Sequence, residues 1–365
     1  MRELFIFAAF TAVAAAQTSD AGLTLGVERS TFRIGERIPV TLQFANRGTS
    51  DVYIEKRVGM WSPEVFAVSP RAAAVNPLAD AWGWRDTGFV SSTGSGLLKP
   101  GNSWVLPRDL NDYVVFRSPG IYRIRLLSTR VFDQAPLQSN EVTISVAPRD
   151  AAEDARQFQA AREALQSDPL AAIRTLRFLE TEEAAHLLSS LFGRGLSEDN
   201  EIYVALWSSP FREVIMDDLE RHLRDPDLGV TTFYAATLMQ MRWRQAEHRL
   251  GRQLNEAEMD AVSQGVEKTV LEAAPSKLPE ARAVTWHFLS LPPSHYRSEA
   301  RIRMIQSFFY LPRELMGPIL VDQWNLFAGQ EMIPVLKEAL AGPFLAKYPE
   351  LKSLLAGRLR ELTEN

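Results

Sequence analysis

The chain has 365 residues, of which 46% are hydrophobic and 23% charged, and its formal net charge is -5. This length is sufficient for two domains, and the hydrophobic fraction excludes an intrinsically disordered chain, while near-average counts of 20 glycines and 21 prolines exclude a collagen-like one. No cysteine is present, which excludes disulfide bonds, thiolate metal ligands and thiol catalysis.

Residues 1–16 have the pattern of a signal peptide. An apolar run too short to span a membrane ends in Ala14-Ala15-Ala16, which satisfies the small-x-small rule for cleavage before Gln17. We therefore predict an exported protein, periplasmic or extracellular, from which the signal peptide is removed. No later run reaches 18 apolar residues, so no integral membrane segment is expected after signal removal.

Alternating hydrophobicity predicts β-strands through the first part of the chain. Every second residue is apolar between residues 38 and 44, and the same period recurs in 121–127 and 139–146. The intervening positions carry arginines and hydroxyl side chains. Strands with one apolar and one polar face are typical of an antiparallel β-sandwich.

Four segments resemble the Ig-like or fibronectin-like modules of exported bacterial proteins: Leu23-Thr24-Leu25, Ile34-Gly35-Glu36, residues 98–104, and Ser118-Pro119-Gly120-Ile121-Tyr122. The resemblance covers about residues 22–147. It implies a β-sandwich in which the Pro-Gly turn leads into the penultimate strand and Tyr122 packs over the corner. It implies nothing about a ligand.

A long passage, about residues 66–98, interrupts this sandwich pattern and is far longer than a hairpin requires. Four residues in or near it are candidates for contact with a partner: Trp61, Trp82, Trp84 and Arg85. Exposed rings here could anchor a protein partner or stack on a sugar. The alternative is that the tryptophans fix the loop to the sandwich.

At residues 147–150 the hydrophobic period changes from two to three and four, and Leu and Ala dominate from there on. This change predicts a separate helical domain over about 155–360. Residues 17–150 hold 15 basic and 13 acidic side chains, whereas 151–365 hold 24 and 31. The acidic balance of the helical part argues against nucleic acid or an anionic membrane as its partner.

Residues 223–238 resemble the turn and second helix of a HEAT repeat. The resemblance rests on Asp225-Pro226, on Val230 and on an Ala-Ala-x-Leu run that ends at Leu238, although Thr231 stands where that family usually has Arg. It implies a helix capped by an Asp, within an α-solenoid of stacked helix pairs. A second Asp-Pro pair lies 57 residues earlier, which exceeds one HEAT period of about 40 residues. An irregular all-helical domain is therefore the alternative.

The titratable residues of the sequence form no complete catalytic pattern. Glu183 and His186 have the i, i+3 spacing of helical di-metal centres, but no second such pair occurs, so we interpret His186 as a surface residue. Asp217 and Asp218 are adjacent in a predicted helix and point to different faces, unlike a glycosidase dyad. The sequence also contains no nucleophile elbow and no nucleotide-binding glycine motif. We predict no metal, no cofactor and no catalytic residue.

Three arginines surround a tryptophan in the helical part. Trp243 lies among Met and Leu residues at helical spacing, which indicates a core position. We interpret Arg242, Arg244 and Arg249 as a solvated helix face rather than an anion site.

These observations predict an exported, non-catalytic binding or scaffold protein with an Ig-like β-sandwich followed by a HEAT-like α-solenoid. Its concave helical surface and its sandwich loops would bind another protein of the cell envelope. The first alternative is an envelope- or carbohydrate-binding module that uses exposed Trp82 and Trp84. The second is a hydrolase whose active site has no sequence motif.

Overall fold

The computed structural model describes residues 20–56, 63–71, 74–77 and 94–364. The chain divides into two compact units, Met1–Asp150 and Ala151–Asn365. The described part of the first unit is built from β-strands, and that of the second from helices. A β-sheet domain is therefore followed by an all-helical region, as the change of hydrophobic period predicted. The predicted signal peptide and its cleavage site lie outside the described residues.

Twelve strands are described in the β domain: β1 (Ala21–Val27), β2 (Thr31–Arg33), β3 (Pro39–Asn46), β4 (Val52–Glu55), β5 (Glu64–Ser69), β6 (Ala74–Val75), β7 (Ser95–Leu98), β8 (Ser103–Asp109), β9 (Val115–Phe116), β10 (Gly120–Ser128), β11 (Leu137–Gln138) and β12 (Val142–Ala147). One sheet has the order β1-β3-β8. A second has the order β11-β10-β12-β2, with β5 also paired to β10. Strands β4 and β7 form a pair, as do β6 and β9, and each described pairing is antiparallel except that of β2 with β12.

The period-two pattern determines which side chains enter the core. On β3, Val40, Leu42 and Phe44 are buried, as the sequence predicted. On β10, the buried positions alternate with exposed ones, among them Arg123 and Arg125. Each strand therefore hides its apolar face because successive side chains of an extended chain point to opposite sides.

Tyr122 begins the buried row of β10. Its hydroxyl donates a hydrogen bond of 2.6 Å to the carbonyl oxygen of Ser118, and its ring lies 4.5 Å from that of Phe116. Burial raises the pKa of the Tyr122 hydroxyl. The tyrosine thus ties the start of β10 to the Pro-Gly turn before it.

Part of the passage 66–98 is also in strands, since β5, β6 and β7 all lie within it or reach into it. Strand β5 pairs with β10 over six residues. The adjacent Glu64 and Arg130 side chains form a fully buried ion pair, in which Nη2 of Arg130 lies 2.7 Å from Oε2 of Glu64. The described residues 66–69 of this passage therefore belong to the sheet, whereas residues 72–73 and 78–93 lie outside the described residues.

Fourteen α-helices are described in the second unit: α1 (Ala151–Ala164), α2 (Pro169–Leu179), α3 (Glu182–Leu191), α4 (Asp199–Ser208), α5 (Arg212–His222), α6 (Thr232–Leu250), α7 (Glu256–Ala273), α8 (Pro279–Ser290), α9 (Arg297–Gln306), α10 (Arg313–Leu320), α11 (Trp324–Phe327), α12 (Met332–Ala341), α13 (Phe344–Lys347) and α14 (Lys352–Glu364). From α1 to α9 the main contacts join helices that are one or two positions apart in the chain, such as α2 with α4, α3 with α5 and α6 with α7.

Capping residues define both ends of the longest helix, α6, and the start of the second longest, α7. Thr231 caps α6 by accepting a 3.1 Å hydrogen bond from the Tyr234 amide, so Thr231 takes the place of the Asp that the HEAT resemblance implied. Gly251 ends α6 with a positive φ of 64°. Asn255 and Glu258 form a reciprocal capping box at the start of α7. The two helices are thereby separated by a short connection and lie side by side.

Among the described residues, no helix combines the length and the apolarity that crossing a bilayer requires.

Candidate functional site

A groove of about 620 Å³ lies between the C-terminal end of α5, the second half of α6 and the middle of α7. Its lining on α6 extends from Arg242 to Leu250, and on α7 from Val262 to Thr269. At 1.5 Å of rise per residue, each of these walls is about 10–12 Å long, or roughly two helical turns. The groove is thus elongated along two neighbouring helices.

The base of the groove is apolar. Leu223 and Val266 are buried, and Val262 is half-buried beside them. Leu250 stands at the rim with 52% of its surface exposed. Of these side chains, Val262 and Leu250 keep apolar surface open to a partner, whereas Leu223 and Val266 are covered by the chain itself.

Arg242 is held by three neighbours on the wall of the groove. Its Nε lies 2.7 Å from Oε1 of Glu220, while Nη1 contacts Gln245 at 2.9 Å and Nη2 contacts Asp217 at 3.2 Å. Burial lowers the pKa of Arg242, but the hydrogen bonds and charges of Glu220 and Asp217 outweigh that effect, so the pKa is raised overall. This guanidinium is therefore permanently charged and already paired.

Two further arginines line the groove without a comparable partner. The side chains of Arg224 and Arg249 are exposed, and in the described part of the chain neither guanidinium has a hydrogen bond or an ion pair. Glu220 is the carboxylate of the lining, and Arg242 neutralises it. The groove consequently has an excess of positive charge within a helical unit that is acidic overall.

Gly265 forms part of the α7 wall. It lies in the interior of the helix, its φ is not positive, and a Cβ built there would meet no atom of the described chain within 4 Å. Glycine in a helix interior is about 1 kcal/mol less favourable than alanine. Neither backbone conformation nor packing within the described chain requires glycine here, and the missing side chain leaves the wall open.

The four candidates from the sequence, Trp61, Trp82, Trp84 and Arg85, lie outside the described residues. Another tryptophan of the β domain, Trp104 on β8, stacks on Phe44 with 5.7 Å between ring centroids. That ring belongs to the packing of the sheet.

His186 contacts the carboxylates of Asp218 and Glu182 rather than that of Glu183, to which its i, i+3 spacing pointed. Its Nδ1 lies 2.6 Å from Oδ2 of the buried Asp218, and its Nε2 lies 3.8 Å from Oε1 of Glu182. Asp217, the residue before Asp218, instead accepts a hydrogen bond from Arg242. The part of the chain that the structure describes contains no group of three or more histidines and acids that could hold a metal ion.

Burial lowers the pKa of His222, and two further histidines, His287 and His295, have shifted pKa values and contact residues elsewhere in the helical unit. Burial lowers the pKa of His287, whose Nε2 lies 2.9 Å from Oε1 of Gln323. Hydrogen bonds to Glu267 and Asp260 raise the pKa of His295. None of these residues lines the groove.

Sequence reasoning missed the groove because it interpreted Arg242, Arg244 and Arg249 together as a solvated face. The structure separates them: Arg242 and Arg249 line the groove, while Arg244 pairs with Glu247 on the same helix. The spacing of seven residues between Arg242 and Arg249 places them on one face of a helix and was the available signal. The spacing does not reveal that α7 packs opposite this face and forms the second wall of the groove.

No protein-family model matches the sequence, and no curated protein matches it. Among solved structures, the chain is similar to an ASH/PapD-like domain of human CEP192, with 12% identity, coverage of 41% of this chain and 97% of that one, and a TM-score of 0.15. A Salmonella α2-macroglobulin reacted with methylamine shows 11% identity over 94% of this chain and 26% of its own, with a TM-score of 0.21. A polysaccharide lyase shows 10% identity, 93% and 48% coverage, and a TM-score of 0.16. At these scores the similarities identify neither a common fold nor a function.

Proposed function

We propose that this is an exported, non-catalytic binding protein that holds another protein in the groove between α5, α6 and α7. The observation that carries the proposal is the pair of exposed guanidinium groups, Arg224 and Arg249, beside a recessed apolar base. Charged donors at the rim and an apolar centre are the usual composition of a protein interface.

The chemistry of the lining favours binding over catalysis. Its titratable groups are three arginines, which stay protonated, and Glu220, which is committed to Arg242. No histidine, lysine or tyrosine belongs to the lining of this groove. A group that exchanges protons near neutral pH, which general acid or base catalysis needs, is therefore not supplied there.

The proposal includes an Ig-like sandwich for the β domain and a HEAT-like solenoid for the helical unit. The hydrogen bond from Tyr122 to Ser118 and the alternating burial of β10 support the first. Packing of α1 to α9 mainly on near neighbours in the chain supports the second, because solenoid repeats contact adjacent repeats. Export is supported by the pattern of residues 1–16 and by the absence of cysteine.

The proposed function is tested by filling the groove. The full chain, expressed with its own N-terminal segment, is purified in three forms: unchanged, Gly265→Trp and Gly265→Ala. Each is used to capture proteins from an envelope fraction, and a captured protein is then purified and titrated against all three. We expect Gly265→Trp to abolish binding and Gly265→Ala to retain it. Equal binding by all three forms would contradict the assignment of function to this groove.

The same preparation tests export. The intact mass of the protein recovered from the periplasm or the medium is expected to correspond to cleavage before Gln17. Retention of the uncleaved chain inside the cell would contradict that part of the proposal.

A further inference from the structure

We infer that the groove binds an acidic amphipathic α-helix of the partner, an inference that rests on the proposed function. The shape of the groove is the first reason. Its walls extend along α6 and α7 for about two helical turns, which is the length over which a docked helix presents side chains at i, i+3, i+4 and i+7. A compact anion would occupy one end of such a groove and leave most of its length in water.

The charge of the groove is the second reason. Arg224 and Arg249 lack partners within the described chain, and guanidinium groups bind carboxylates through paired, charge-assisted hydrogen bonds. Arg242 is not available to bind carboxylates of the partner, because its guanidinium is already paired with Glu220 and Asp217. The partner therefore needs at least two carboxylates, placed to reach the two rim arginines.

The acidic balance of the helical unit restricts where such a partner can bind. Residues 151–365 hold 31 acidic and 24 basic side chains, so the unit as a whole carries net negative charge, which disfavours an acidic segment. The excess positive charge of the groove is a local exception. A carboxylate-bearing helix is consequently directed to this place by repulsion elsewhere as well as by attraction here.

The apolar base distinguishes a helix from a bilayer. Leu223 and Val266 have 0% and 6% of their surface exposed and lie between the helices that form the walls. Beside them, the half-buried Val262 keeps part of its surface open inside the groove, where a leucine side chain projecting from a docked helix can reach it and a flat membrane surface cannot. The half-exposed Leu250 at the rim extends the same apolar stripe outward.

Gly265 gives an independent indication of close approach. The helix carries a residue that lowers its own stability, and nothing in the described chain fills the space where a Cβ would lie. Small residues on a helix face let a second helix come near, since no side chain holds the backbones apart. We therefore place the partner helix against the α7 wall at Gly265.

Synthetic peptides test this inference directly. The probe is a fluorescent peptide of about 20 residues, long enough to form a helix, with leucines at i, i+3, i+4 and i+7 and glutamates flanking that stripe. Two matched peptides replace each glutamate by glutamine or by lysine, and a third keeps the composition but scrambles the stripe. We expect the acidic amphipathic peptide to bind the full chain at least about tenfold more tightly than each of the three.

Protein variants assign the binding to the groove. We expect the double variant Arg224→Gln with Arg249→Gln to weaken binding of the acidic peptide by about tenfold or more, with a reduced dependence on salt. The matched control is Arg303→Gln, since Arg303 is also exposed and without an ion pair in the described chain but lies on α9. Circular dichroism of each variant reports whether its fold is retained. We expect it to be retained because the three substituted arginines are exposed.

The outcomes separate this inference from the proposed function. Binding of the acidic peptide that is lost in the double variant and kept in Arg303→Gln supports the inference. It is overturned if the glutamine peptide binds equally well, if the double variant binds normally, or if vesicles of anionic phospholipid bind through these arginines and the peptides do not. If the acidic peptide fails while a captured protein still depends on Gly265, the acidic helix is wrong and the proposed function stands. If Gly265→Trp alters no binding at all, both fail.

Discussion

The Nε of Arg242 lies 2.7 Å from Oε1 of Glu220, and this pair joins α6 to α5 at the wall of the groove. Asp217, one turn earlier on α5, contacts the same guanidinium. Because both acids are used on Arg242, they leave the neighbouring Arg224 and Arg249 without a partner in the described chain. The pair thus has a structural role, and the arginines left to face the groove are Arg224 and Arg249.

Replacing Arg242 by Gln is expected to lower the free energy of unfolding by about 1–2 kcal/mol, because Glu220 and Asp217 lose their shared charge-assisted hydrogen bonds. Chemical denaturation of the full chain measures the change. The exposed Arg303→Gln is the control, with an expected change within about 0.5 kcal/mol. Equal effects of the two substitutions would contradict the structural role of Arg242.

Gly265→Ala is expected to raise the free energy of unfolding by about 1 kcal/mol, since alanine is the better helix former and its Cβ meets no atom of the described chain within 4 Å. Gly251→Ala gives the contrast. Its Cβ also meets open space, but the backbone has a φ of 64°, so about 1 kcal/mol of stability is lost to strain. Thermal unfolding of both variants is the measurement, and shifts of the same sign would contradict this account.

His287 is expected to make the protein less stable in acid. Burial lowers its pKa below the ordinary 6.5 despite the hydrogen bond to Gln323. The unfolded state therefore takes up a proton first, and stability falls as the pH drops below about 6.5. We expect His287→Gln to be less stable than the unchanged protein near neutral pH, and this difference to shrink in acid. A difference independent of pH would contradict the shift.

His295 is expected to act with the opposite sign. Hydrogen bonds to Glu267 and Asp260 raise its pKa above 6.5, so the folded state binds the proton more tightly. The resulting stability is fully present below about pH 6.5 and is lost as the pH rises through the folded-state pKa. The stability difference between the unchanged protein and His295→Gln is therefore expected to be largest in acid. The measurement is denaturation at a series of pH values, and a difference that grows with pH would be inconsistent with this assignment.

Tyr122→Phe is expected to lower the stability of the β domain by about 1–2 kcal/mol, because the buried hydroxyl loses its 2.6 Å hydrogen bond to the Ser118 carbonyl. Tyr53→Phe is the matched control, since 60% of Tyr53 is exposed. Urea denaturation, monitored by the circular dichroism signal of β-structure, compares the stabilities of the two variants. A neutral Tyr122→Phe would remove the support that this hydrogen bond lends to the Ig-like assignment.

The order of a β domain and a helical region could be read from local pattern. The alternation around Leu42 and Ile124 and the change of period at residues 147–150 each reflect which side of a strand or helix is apolar, and both correspond to the structure. Capping was only partly predictable. Thr231 rather than an Asp caps α6, because the turn extends several residues beyond Asp225, whose side chain accepts a hydrogen bond from the Asp227 amide within it.

The groove could not be predicted in the same way. Which of its arginines stay unpaired depends on which one the acids of α5 bind, and Arg224, Arg242 and Arg249 look alike in the sequence. Only the packing of α5 on α6 brings Glu220 to Arg242 and away from the others. The role of Gly265 likewise depends on the space around α7, which sequence spacing does not describe.

By itself, the sequence determined the succession of strands and helices, the apolar face of each, and the absence of cysteine chemistry, since these depend on residues near one another in the chain or on composition alone. The tertiary structure decided which charged side chains are paired and which are left to face the groove. The physical reason is that an ion pair forms between the groups that packing brings within about 3 Å, and distance along the chain carries no information about that.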